Sequence, residues 1–156
     1  MGLREQFTEA MKASMKAGDA ATTSTIRMII AKLKDTDIAT RDLTKADAPR
    51  EAGDEAIGAM LRGMIKSRRE SVGLYRQGGR EDLAAKEEAE IAVINRFLPP
   101  ELDEAAMRAA VAAAVAETGA AGPKDMGKVM GALKAKHGAA LDLGKAGPLV
   151  KAALAG

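Results

Sequence analysis

Ile57-Gly58-Ala59-Met60-Leu61-Arg62-Gly63-Met64-Ile65-Lys66-Ser67-Arg68-Arg69-Glu70-Ser71-Val72 decides the fold, together with its continuation to Pro99-Pro100. At about 100° per residue, Ile57, Met60, Leu61, Met64, Ile65, Val72 and Tyr75 share one side of a helix. Arg62, Lys66, Arg69 and Arg76 fall on roughly the opposite side. After Gly78-Gly79 the helical period resumes with Leu83, Ile91, Ile94 and Leu98. It stops at Pro99-Pro100, because Pro100 has no N–H to donate and forces the residue before it out of the helical region. The double proline therefore reads as a seam between a helical unit over 1–98 and a smaller three-helix unit over 99–156.

The composition supports an all-α chain. Phe7, Tyr75 and Phe97 are the only aromatic residues among 156, so Leu, Ile, Val, Ala and nine Met must build the core. Ala and Met favour helices, whereas strands favour β-branched and aromatic residues. No cysteine is present, which excludes disulfides, a thiol nucleophile and thiolate metal ligands. A single histidine, His137, excludes a multi-histidine metal site within one chain. No metal and no cofactor is expected.

The net charge of +2 is too small to imply a polyanionic partner by itself, so a local face would have to supply the attraction. No signal-peptide core and no run of about 18 apolar residues is found, so the expectation is a cytoplasmic protein with no membrane segment.

Working outward, helix one is expected over 3–17, with Leu3, Phe7, Ala10, Met11 and Met15 at helical spacing and Gly18 as its stop. Helix two starts after Asp19 and runs to about Thr40, burying Ile26, Ile29, Ile30 and Leu33. Its opening run Thr22-Thr23-Ser24-Thr25 has weak helix propensity. Residues 41–53 are polar, carry Pro49 and Gly53, and read as a loop. Asp54 is a candidate N-cap for helix three, which closes at Gly78. Helix four begins near Arg80.

Beyond the prolines, Asp103 can cap helix five, over about 104–117, with Leu102 and Met107 as a hydrophobic staple. Helix six opens with Pro123 in its first position and buries Met126, Val129, Met130 and Leu133. Asp142 can cap a last helix to Leu154, in which Pro148 argues for a kink or a later start.

Three constellations could carry chemistry. Glu87 and Glu90 fall within the apolar stripe of helix four, and Arg68 within that of helix three. Charges on buried faces need partners, so an Arg68–Glu87/Glu90 ion pair is expected; the alternative is a catalytic carboxylate pair. Second, Arg62, Lys66, Arg69 and Arg76, extended by Arg80, make a basic face suited to phosphates or simply to solvent. Third, Gly127 and Gly131 stand four apart on helix six, flanked by Lys124, Lys128 and Lys134. Paired glycines admit a close neighbour, either a helix or a sugar-phosphate backbone. His137, in the last turn of that helix, suits a surface role that complements the helix dipole.

Four segments taken together resemble one family. They are Ser24-Thr25-Ile26-Arg27-Met28-Ile29, then Gly78-Gly79-Arg80-Glu81-Asp82-Leu83 with Glu87 and Glu90, then Phe97-Leu98-Pro99, then Asp125-Met126-Gly127-Lys128-Val129-Met130. In this order they resemble the YqeY family of small bacterial proteins. Thr25 stands where the family usually has leucine, and Phe97 where it usually has tyrosine. That family is similar to the C-terminal tail domain of the B subunit of the tRNA-dependent amidotransferase.

The resemblance implies a tRNA-binding or adaptor protein without catalysis of its own, whose partners would be tRNA or a tRNA-processing protein complex. Kinship also implies an alternative, a carbon–nitrogen ligase with glutamine as amido-N-donor. A further alternative is a protein-interaction module. The first binding candidates are Lys124, Gly127, Lys128, Gly131 and Lys134; the second are Arg62, Lys66, Arg69, Arg76 and Arg80.

Overall fold

A computed structural model describes every residue except Asp42, Leu43, Ala48 and Gly156. Those four include part of the loop expected over 41–53, which to that extent lies outside the described residues. The chain is all-α, and no strand occurs among the described residues. The described residues form seven α-helices in order: α1 (Leu3–Lys16), α2 (Ala20–Thr40), α3 (Asp54–Gln77), α4 (Glu81–Asn95), α5 (Glu104–Thr118), α6 (Met126–His137) and α7 (Leu143–Ala155). They group into two compact units, Met1–Leu98 and Pro99–Gly156.

In the first unit, α3 and α4 form a long hairpin, and α2 packs on both. The stripe read from the sequence is the buried face of α3: Ile57 and Leu61 are fully enclosed, and Met60, Met64, Ile65 and Val72 are buried. Tyr75 is only half-buried. Two of the three aromatic side chains meet inside this unit, Phe7 against Phe97, edge to face with ring centroids 4.9 Å apart. That geometry sets the positive ring edge on the negative face of its neighbour. Gly79 adopts φ 73°, a left-handed conformation that makes the turn into α4.

The N-terminus of α2 is better anchored than its propensity suggests. Asp19 caps it, accepting from the Thr22 N–H at 3.0 Å and from the Thr22 hydroxyl at 2.6 Å. Thr23 and Ser14 share a buried hydroxyl–hydroxyl bond of 2.7 Å, which ties α2 to α1. Each hydroxyl therefore keeps a partner on burial, and the usual desolvation cost is met.

The N-cap of α3 is Gly53, and Asp54 is already helical, contrary to the expectation. The Asp54 carboxylate is taken by a distant donor, the Leu3 N–H at 3.4 Å.

In the second unit, Asp103 caps α5 by accepting from the Ala106 N–H at 2.7 Å. Gly119, at φ 66°, ends that helix in a left-handed cap. Met107, Val111, Val129, Leu133, Val150 and Leu154 lie in the shared core of α5, α6 and α7. Pro123 opens a 3-10 turn, Pro123–Asp125, and α6 proper begins only at Met126. Helix α7 starts at Leu143 and runs through Pro148, so the later start considered above does not occur. The residue ahead of the ring is Gly147, which has no Cβ to collide with the proline Cδ, so the helical conformation is accessible there.

Leu61→Ala is expected to destabilise the first unit by about 2–5 kcal/mol, measured by urea unfolding, because a fully enclosed side chain leaves a cavity. A second expectation concerns acid. Arg4 donates both to Asp37, with Nη1 to Oδ2 at 2.9 Å, and to the Ala52 carbonyl at 2.9 Å. The Arg4 hydrogen bond holds the Asp37 carboxyl below its ordinary value; desolvation opposes this, and the Ala52 N–H adds to it. A depressed carboxylate stabilises fully above its unfolded pKa of about 3.9, and loses that contribution as pH falls through the folded value. Asp37→Asn should therefore cost about 1–3 kcal/mol at pH 7, with the gap to wild type closing in strong acid.

Candidate functional site

Helix α6 carries no carboxylate between Met126 and His137, while Lys128, Lys134 and Lys136 project from it. Gly127, Gly131 and Ala135 recur every four residues and are all exposed. At 1.5 Å per residue they draw a side-chain-poor strip about 12 Å long. A Cβ built at Gly127 or Gly131 would meet nothing within 4 Å, so neither glycine serves contact with a described neighbouring helix.

Lysines border this strip. Lys124 and Lys134 form no ion pair with any described residue. Lys128 Nζ lies 3.9 Å from Asp125 Oδ1, a loose contact on an exposed side chain. Exposed pairs of that kind contribute roughly 0–1 kcal/mol and do not immobilise the cation. Asp125 also accepts from the Ala121 N–H at 2.9 Å. Lys136, further round the helix, reaches Glu117 at 3.7 Å. His137 is half-buried at the end of α6.

The basic face of α3 separates into two parts. Lys66 and Arg69 are exposed and form no ion pair with a described residue, and Arg62 is half-buried. Arg76 is engaged by Glu81 at 3.0 Å and Glu88 at 2.8 Å, both on α4. Arg80 is engaged by Asp82 at 3.0 Å. These hydrogen bonds push both guanidinium groups further up and hold the Glu81 and Asp82 carboxyls below their usual range. Arg76 and Arg80 thus belong to the hairpin tip, and only Lys66 and Arg69 remain plainly available on that face.

Arg68 lies between α3 and α4. Its Nε donates to Glu90 Oε2 at 2.9 Å, with Glu87 Oε2 at 4.0 Å. Nη1 donates to the Met64 carbonyl at 3.3 Å, and Nη2 faces the Met28 sulfur at 3.7 Å. All three charged side chains are at most 22% exposed. Chemically this is a cation held by acceptors. No group of three or more potential ligands that could hold a metal occurs among the described residues.

Sequence inspection missed a groove between α2 and α3. Met28, Ala31, Met60, Gly63 and Met64 line it, with Lys32 and Asp35 on its α2 wall. Ala31 and Gly63 at the margins of the two apolar stripes were the only signal available for it.

The profile of the YqeY family, described as Yqey-like protein, matches residues 4–154, and the chain belongs to that family. No curated protein matches it. No helix among the described residues is long and apolar enough to cross a membrane.

Glu90→Ala should destabilise the first unit by about 1–3 kcal/mol, since it strips Arg68 of its closest acceptor while the guanidinium stays buried. Replacing Arg68 together with Glu87 and Glu90 by apolar residues of similar volume should recover most of that loss in thermal unfolding.

Proposed function

With membership of the YqeY family as the premise, we propose that the chain is a tRNA-binding or adaptor protein, related to the amidotransferase tail domain and working in the cytoplasm without catalysis of its own. One observation carries the proposal: the exposed Gly127–Gly131–Ala135 strip of α6, bordered by Lys124, Lys128 and Lys134, on a helix free of carboxylates. A missing side chain lets a polymer backbone lie close to the helix, and flanking ammonium groups then meet phosphates. With three aromatic residues in the chain, base stacking has little to work with, so recognition should track backbone and shape. Lys66 and Arg69 on α3 offer a second, smaller contact.

The rival enzyme, a carbon–nitrogen ligase drawing nitrogen from glutamine, requires a nucleophile, a base and oxyanion donors in one place. The Arg68 cluster supplies hydrogen-bond acceptors around a cation, which favours a structural role for it.

Binding to total tRNA over a salt series tests the proposal. Affinity should fall log–log with salt, at roughly 0.7–0.9 per phosphate contact, and Lys124→Ala with Lys128→Ala should flatten the slope by about 1.4–1.8. Absence of binding at low salt would contradict it, as would purified chain moving ammonia from glutamine onto an acceptor.

A further inference from the structure

The groove between α2 and α3 encloses about 730 Å³ and is open along its length. Its floor is methionine, a flexible and polarisable side chain suited to accommodating a packed partner. Ala31 and Gly63 leave the walls low enough for a helix to approach. The groove therefore has the form that receives one further helix.

Two features of α2 identify the occupant. Ile38 is 62% exposed, a large aliphatic side chain in water. At about 100° per residue it lies some 20° from Ala31 and 60° from Asp35, so the three form one outward ridge beside the groove. Lys32 and Asp35 are exposed on the same wall, and neither forms an ion pair with a described residue. Their signs are opposite and they sit one turn apart. A foreign helix of uniform charge would gain from one and lose to the other. A second α2 running antiparallel gains from both.

We infer that this groove is the interface of a homodimer, in which α2 of each copy seats against the α2–α3 groove of the other. A two-fold axis running between the two α2 helices, level with Leu33 and Lys34, sets Lys32 opposite the partner's Asp35, and the symmetry repeats the pair. The same register brings Ile38 beside the partner's Met28. Met28 lies at the Arg68 and Met64 end of the groove, as its contact with the Arg68 guanidinium shows. The exposed isoleucine of each copy thereby reaches the methionine floor of the other.

Sedimentation equilibrium of the chain, from about 1 µM to about 1 mM, tests this, with circular dichroism as the check on folding. Wild type should dimerise reversibly, and Ile38→Asp should be monomeric with unchanged helix content. Lys32→Glu and Asp35→Lys should each weaken the dimer about tenfold or more, since each sets like charges opposite one another twice. The double variant Lys32→Glu/Asp35→Lys should restore an affinity near wild type. A wild type that stays monomeric throughout would overturn the inference and leave the groove to another protein or a small ligand. A double variant no tighter than the singles would overturn it too.

Discussion

Burial of the α3 stripe against α4 and α2 is the constraint on which the first unit rests. Ile57 and Leu61 are fully enclosed there, and Val72 lies buried about three turns beyond Leu61. With only three aromatic rings, two of them the Phe7–Phe97 pair, the chain must make most of its core from slender aliphatic and methionine side chains. Such a core depends on close interdigitation along a long helix rather than on a few bulky anchors. Once α3 is committed to that face, its cations must point outward or be paired. Lys66 and Arg69 take the first course, and Arg68 and Arg76 the second.

The second unit solves the same problem with smaller residues. Alanine-rich α5 and glycine-bearing α6 pack through Met107, Val111, Val129 and Leu133 and leave the far side of α6 low and positively charged. A helix carrying Gly131 at an exposed interior position gives up roughly 1 kcal/mol relative to alanine, and Gly127 in its first turn adds a smaller cost. Neither glycine meets a described neighbour that would account for that cost within the unit. A close external contact would account for it.

Much of the fold was legible because its signals are local. Apolar period, Asp103 as a cap, Gly18 and Gly78 as stops and Pro99-Pro100 as a break all act within a few residues of where they stand. What escaped depends on distant atoms. Asp54 looks like a cap until Leu3 claims its carboxylate from 51 residues away. Arg76 looks available until the hairpin folds Glu88 back onto it. The α2–α3 groove was illegible because it is a gap between two stripes, each of which looks complete alone. The strip on α6 was half legible: the sequence placed the lysines beside the glycines, while only the structure showed that no described helix fills the space.

The central claim is that the α6 strip meets the nucleic-acid backbone. The most direct measurement is amide chemical-shift mapping of nitrogen-15-labelled protein titrated with tRNA at low salt. The account predicts that the largest perturbations fall on Gly127, Lys128 and Gly131, and that they disappear when salt is raised. Perturbations confined to residues off the α6 face, with Gly127 and Gly131 unmoved at saturation, would contradict it.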